Sequence, residues 1–152
     1  MLKVYVAASF AYADRGKTEQ RKKEIEEVVK QIKHIVGRKY GWYIPHQLKI
    51  ENAWDISLEE WSRKVYEHDR DALNCANLVI FISYGKENNA GAVWEVGYAN
   101  AKGIKTVVIK MTDEVESLMI SESAHAIIKK EEISNYDWLT LPPYRTKLEK
   151  LS

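Results

Sequence analysis

The chain has 152 residues, 23 basic and 22 acidic, with four His and one Cys. That length suits one domain over residues 1–152, and a composition 45% apolar and 30% charged excludes disordered and fibrous chains. A net charge of +1 argues against a broad basic face for nucleic acid, and the lone Cys75 excludes an internal disulfide and a Cys-rich zinc site.

Taken in chain order, the hydrophobic period switches back and forth. Residues 3–9 (KVYVAAS) are short, β-branched and small, a buried strand entered directly from Met1-Leu2-Lys3 without a signal-peptide pattern. Residues 18–36 place Ile25, Val28, Val29, Ile32, Ile35 and Val36 at helical spacing, with Gly37 where a cap belongs. Trp42-Tyr43-Ile44 is a second strand stopped by Pro45, and Ser57-Leu58-Glu59-Glu60 opens a helix to about Ala76. Residues 78–83 (LVIFIS) form a continuous apolar strand, the kind covered on both faces of a parallel sheet.

A loop over 84–90 leads to a largely uncharged helix over about 91–102, ended by Gly103, and then to a strand at 106–109. Beyond Lys110 the pattern allows a helix at 122–130 or a short strand at Ile127-Ile128, followed by a last helix at 144–151. Strand-helix alternation of this kind predicts an α/β domain: a single doubly wound, flavodoxin-like or Rossmann-like parallel sheet of about five strands, helices on both faces. Ligands in such sheets lie beyond the carboxyl ends of the strands, here residues 8–10, 45–47 and 84–91. The longest apolar runs are far too short to cross a membrane, so the chain reads as soluble and cytoplasmic. Cys75 reads as a small buried apolar residue.

Two acids stand in unexpected places. Asp69 falls on the inward line of Trp61, Val65, Leu73 and Ala76, whereas Asp71 faces water. A carboxylate on a core face is costly unless it is partnered or lines a cavity; the alternative is a helical phase shifted by one residue. Glu95 is the only charge of an otherwise apolar helix that reads as buried nearly all round. Placed in the first turn, it gains from the helix dipole and keeps its charge, which suits a nucleophile; the dipole alone is the structural alternative. Two carboxylates beside one crevice are the arrangement that breaks glycosidic bonds.

Other candidates carry less. His46 and Gln47 follow the second strand at the crevice end and can hydrogen-bond a planar heterocycle, or simply be solvated. Asn88-Asn89 with Gly91 has turn composition. His34, His46, His68 and His125 have no metal-ligand spacing, and no phosphate loop or nucleophile elbow occurs.

Three blocks resemble the nucleoside 2-deoxyribosyltransferases and the related 2′-deoxynucleoside 5′-phosphate N-hydrolases: VYVAASF, DRDALNCANLVIFIS and NAGAVWEVGYANAKGIKTVVI. The third, with its Gly-x-x-x-Glu-hydrophobic-Gly-Tyr-Ala pattern, is the specific one. The resemblance implies that Glu95 is the nucleophile forming a 2-deoxyribosyl ester, Asp69 the acid that positions substrate and assists the leaving base, and Tyr5 the residue orienting the nucleophile. It places Ser9, His46, Gln47, Asn89 and Gly91 around the substrate, and Ser117 where each subunit supplies a neighbour's site.

Asn89 stands where many transferases have Asp, and Ser117 is more like the hydrolases, whose serine there meets a 5′-phosphate. The ending YRTKLEKLS lacks the aromatic tail of some transferases. The implied activity is base exchange on 2′-deoxyribonucleosides, with no metal or organic cofactor. The alternatives are hydrolysis of 2′-deoxynucleoside 5′-monophosphates by the same nucleophile, and a non-catalytic nucleotide-binding module. The implied partners are a small deoxynucleoside and a free base, without nucleic acid or membrane, in a homo-oligomer built from dimers with aromatic contacts.

Overall fold

A computed structural model describes residues 1–9 and 14–141; Phe10 and the helix expected at 144–151 lie outside the described residues. The elements are β1 (Leu2–Ala8), α1 (Arg15–Val36), β2 (Tyr40–Tyr43), α2 (Leu58–Cys75), β3 (Leu78–Ser83), α3 (Ala90–Ala101), β4 (Lys105–Lys110), α4 (Leu118–Ser123) and β5 (Ala126–Lys129). All strand pairs are parallel, in the order β2-β1-β3-β4-β5. This is the expected doubly wound sheet, in the flavodoxin-like order. The chain leaves β1 toward one edge and returns to β3 on its other side, so the crevice opens at the carboxyl ends of β1 and β3.

Period-2 alternation divides the core in two. Val4 and Val6 of β1, with Leu78, Ile80 and Ile82 of β3, face Ile25, Val28, Val29 and Ile32 of α1. Tyr5 and Ala7, with Val79 and Phe81, face Leu73 of α2 and Ala92, Val96 and Ala99 of α3. Ile133 and Trp138 close the α1 side, where the Trp138 indole donates to the Ile133 carbonyl at 2.8 Å and Tyr40 donates to the Trp138 carbonyl.

Local chemistry explains the helix ends. Asp14 accepts from Lys17 N–H to start α1, and Gly37 takes the left-handed φ of 57° that ends it. Ser57 accepts from Glu60 N–H, with Glu59 and Glu60 in the first turn of α2. The ambiguous stretch beyond Lys110 resolves into the short α4 and then β5, which contains Ile127-Ile128, so the helix at 122–130 is not formed. Cys75 is exposed rather than buried, since it ends α2 on the solvent side. Among the described residues, no helix is long and apolar enough to cross a membrane.

Candidate active site

Tyr5 and Tyr43 are paired in register on neighbouring strands, so their side chains leave the same face of the sheet. Their rings stack with centroids 5.3 Å apart and planes at 18°. Asp69, on α2 above them, accepts a hydrogen bond from the Tyr43 hydroxyl at 2.8 Å. Asp69 is partly buried and Leu73 fully so, as the inward line predicts, whereas Trp61 at the start of that line is 40% exposed. Burial raises the Asp69 pKa, and the Tyr43 bond, then His68, work against that rise. Burial, aided by the Asp69 bond, holds the Tyr43 phenol above its usual range, so it remains a donor.

Glu95 lies over the same face, from α3. The helix begins at Ala90 with Asn89 as its cap, so Glu95 stands in the second turn, not the first as expected. The dipole is weaker there, and dehydration prevails: burial pushes the carboxyl from 4.5 up to about 7, Tyr5 opposes the rise and the Asp69 charge adds to it. The ordinary charged carboxylate expected from the sequence is therefore corrected to one poised near neutrality. Burial, followed by the Glu95 charge, also drives the Tyr5 phenol well above its usual range. Tyr5 and Glu95 thus act on each other electrostatically. Yet Tyr5 Oη and Glu95 Oε2 are buried with no hydrogen-bond partner of ordinary geometry among the described residues. Two buried polar atoms left in this way are groups that a ligand can satisfy.

The other predicted residues divide. His46 joins Asp69, Trp61 and Val65 around a cleft of about 350 Å³. Its Nε2 lies 3.7 Å from Glu26, and burial lowers its pKa while Glu26 opposes the change. His46 also lines a second hollow, with Glu26, Lys30, Lys33 and the exposed Gln47, apart from Asp69. Ser9 is 2% exposed; its Oγ accepts from Asn89 N–H at 2.7 Å, joining the end of β1 to the start of α3.

Asn89 Oδ1 in turn accepts from Ala92 N–H at 3.0 Å, so the cap is Asn89 and Ala92 is its partner. Gly91 is exposed in the first turn, where an added Cβ would meet only Asn89 Oδ1, at 3.6 Å. Ser117 precedes α4, exposed, and its side chain caps nothing. Neighbouring Glu116 accepts from the Ser83 hydroxyl at 2.6 Å, which places the segment after β4 against the end of β3.

Sequence reasoning missed Tyr43, because a tyrosine in a strand reads as packing. It also missed Arg21, buried among the charges of α1. Its guanidinium donates to the Ser9 carbonyl at 3.1 Å, pairs with Glu87 at 2.9 Å and lies 3.4 Å from the Tyr84 ring centroid. The helical spacing did carry a signal, since Arg21 precedes Ile25 by four residues on the inward stripe. A further hollow of about 360 Å³, lined by Met1, Lys3, Gly41 and Cys75 among others, contains no acid.

Among solved structures, the chain is similar to a 2-deoxyribosyltransferase from the psychrotolerant Bacillus psychrosaccharolyticus, with 24% identity, TM-score 0.74, and 95% of this chain and 98% of that one covered. It is also similar to a conserved protein from Enterococcus faecalis V583, with 16% identity, TM-score 0.59 and coverage of 99% and 84%. A third is the Clostridium botulinum CMP N-glycosidase BcmB, with 22% identity, TM-score 0.55 and coverage of 88% and 96%. At these identities the likeness is one of fold. No curated protein sequence matches. The sequence profile of the nucleoside 2-deoxyribosyltransferases matches residues 4–129, from the first strand through the last. The chain therefore belongs to the nucleoside 2-deoxyribosyltransferase family, whose enzymes transfer or hydrolyse N-glycosyl groups.

Proposed function

We propose that the chain is a nucleoside 2-deoxyribosyltransferase that exchanges the base of a 2′-deoxyribonucleoside through a covalent ester on Glu95. The observation that carries this reading is the buried Glu95 carboxyl, its Oε2 unpartnered among the described residues, beside Tyr5 and within the field of Asp69. A Glu95 oxygen forms a bond to C1′ as the C1′–N bond breaks, the electron pair leaving with the base, which takes up a proton from water. A nitrogen of the second base then forms the new C1′–N bond and gives up its proton, releasing the Glu95 carboxylate. Splitting one displacement into two predicts ping-pong kinetics.

Without a 2′-hydroxyl the sugar tolerates positive charge better, so a carboxylate and close positioning suffice. Asp69 assists the leaving base, and His46 contacts the base from the shared cleft. Asn89, with Oδ1 engaged as a cap, offers the base its amide N–H. The active form is a homo-oligomer, read from the exposed apolar surface near Ser117.

A second reading, hydrolysis of 2′-deoxynucleoside 5′-monophosphates, is favoured by Ser117, whose exposed hydroxyl makes no capping bond and suits a phosphate. Chromatography of products separates the two. Thymidine or deoxyinosine is mixed with free adenine or cytosine, in parallel with dTMP or dGMP in water. A new deoxynucleoside that forms only with added base is expected. Base released from the monophosphate alone would establish the hydrolase instead. No product in either arm would refute both and favour a binding module.

A further inference from the structure

The proposed reaction assigns work to Glu95, Asp69 and Tyr5 but none to Tyr43, whose surroundings are unusually specific. Tyr43 is the last residue of β2, in register with Tyr5 on β1. Parallel neighbours lie about 4.8 Å apart, so in-register rings on one face meet edge to edge or stacked. Here they stack, at 5.3 Å. Each hydroxyl then serves a different acid: Tyr43 donates to Asp69 Oδ1 at 2.8 Å, while Tyr5 acts on Glu95. The Asp69 carboxylate has no other hydrogen bond among the described residues, so Oδ2 is the oxygen left for a ligand.

We propose that Tyr43 is a positioning residue: its hydroxyl fixes Asp69 through Oδ1, and its ring, stacked on Tyr5, sets the spacing between the Asp69 and Glu95 carboxylates. The inference rests on the reading of Glu95 and Asp69 as the reacting pair. Strand spacing and ring thickness are stiff quantities, whereas a helix-borne carboxylate alone swings through its rotamers. The Tyr43 bond holds the Asp69 rotor, and the ring stack holds the Tyr5 hydroxyl beside Glu95. Placement of that kind is worth large factors in rate, because small misplacements of reacting groups are costly.

The bond also acts on charge. The groups facing Asp69 are Tyr43 from β2, Tyr5 from β1, Glu95 from α3, His68 on its own helix and His46 across the cleft. Of these, the Tyr43 bond is the largest influence opposing the rise that burial imposes on the Asp69 pKa. Without the hydroxyl, Asp69 takes up its proton at higher pH.

Tyr43→Phe keeps the ring and removes only the donor. The expected result is a fall in kcat of about tenfold or more with KM nearly unchanged. In the Asp69→Asn background the same change should cost nothing further, because the partner is already gone. NMR titration of carboxyl-labelled aspartate in the ligand-free protein should show Asp69 moving to higher pH in Tyr43→Phe. Equal losses in both backgrounds, or an unmoved Asp69 titration, would overturn the proposal. The titration needs no substrate, so an inactive wild-type protein would sink the proposed function while Tyr43 is still judged on the Asp69 shift.

Discussion

A carboxyl group withdrawn from water keeps its proton longer, and Glu95 bears that penalty where the proposed reaction requires the charged form. Its pKa of about 7 in the fold, against an ordinary 4.5, means that the folded state holds the proton more tightly than the unfolded chain. Stability from this group is therefore complete below pH 4.5 and is lost as pH rises through 7. Glu95→Gln should match the wild type in urea denaturation near pH 4 and exceed it by about 3 kcal/mol near pH 8. The same variant should lose turnover by orders of magnitude, since an amide cannot form the ester. In the wild type, kcat/KM for base release should climb with pH to a plateau above about 7, reporting the free enzyme's carboxylate. A flat profile from pH 5 to 8, or a Glu95→Gln protein with most of its activity, would remove Glu95 from the nucleophile's role. Glu95 and Asp69 were both legible in the sequence for one reason: each is a charge on an otherwise apolar stripe. Tyr43 was not, because aromatic residues belong in strands and its partner lies 26 positions further on.

At the scale of elements, the start of α3 joins the helix to the sheet. Arg21 holds the Ser9 carbonyl, Ser9 Oγ receives Asn89 N–H, and Asn89 Oδ1 receives Ala92 N–H, one chain of bonds from α1 through β1 to α3. Gly85, at φ 63° in the preceding loop, allows the turn that brings Asn89 there. Asn89→Ala should cost about 1 kcal/mol through the lost cap, whereas Asn89→Asp should keep the cap and its stability. If the amide also meets the base, Asn89→Asp shifts the ratio of adenine to cytosine accepted, because a donor becomes an acceptor. An unchanged ratio beside the stability loss in Asn89→Ala would leave Asn89 a cap and nothing more. Strand and helix positions were legible because the period changes from 2 to 3.6 at each boundary. The depth of α3 was not. Its neutral composition reads as burial on all sides, but of its apolar residues only Ala92, Val96 and Ala99 are fully buried, and Val93 and Trp94 remain exposed.

Those exposed residues matter at the scale of the whole molecule. Trp94 is 46% exposed and stacks on Tyr98 at 5.2 Å, with Tyr66 beside it at 5.9 Å. α4 packs against α3 and brings Val115, Leu118 and Met119, 91%, 73% and 77% exposed, to flank Ser117. Such apolar groups gain little in water, and a second copy of the chain would cover them while carrying Ser117 toward the neighbour's crevice. Leu118→Glu with Met119→Glu should leave the monomer folded, since neither side chain is in its core, and reduce the mass seen by sedimentation to that of one chain. Activity should fall with it. A complementation experiment then tests whether the neighbour completes the site. Glu95→Gln and Ser117→Ala are each expected to be nearly inactive, but mixed dimers carry one site with both residues intact. With half the dimers mixed, about a quarter of wild-type activity should return. No recovery on mixing, from proteins shown to exchange subunits, would mean that Ser117 serves its own chain or no site at all.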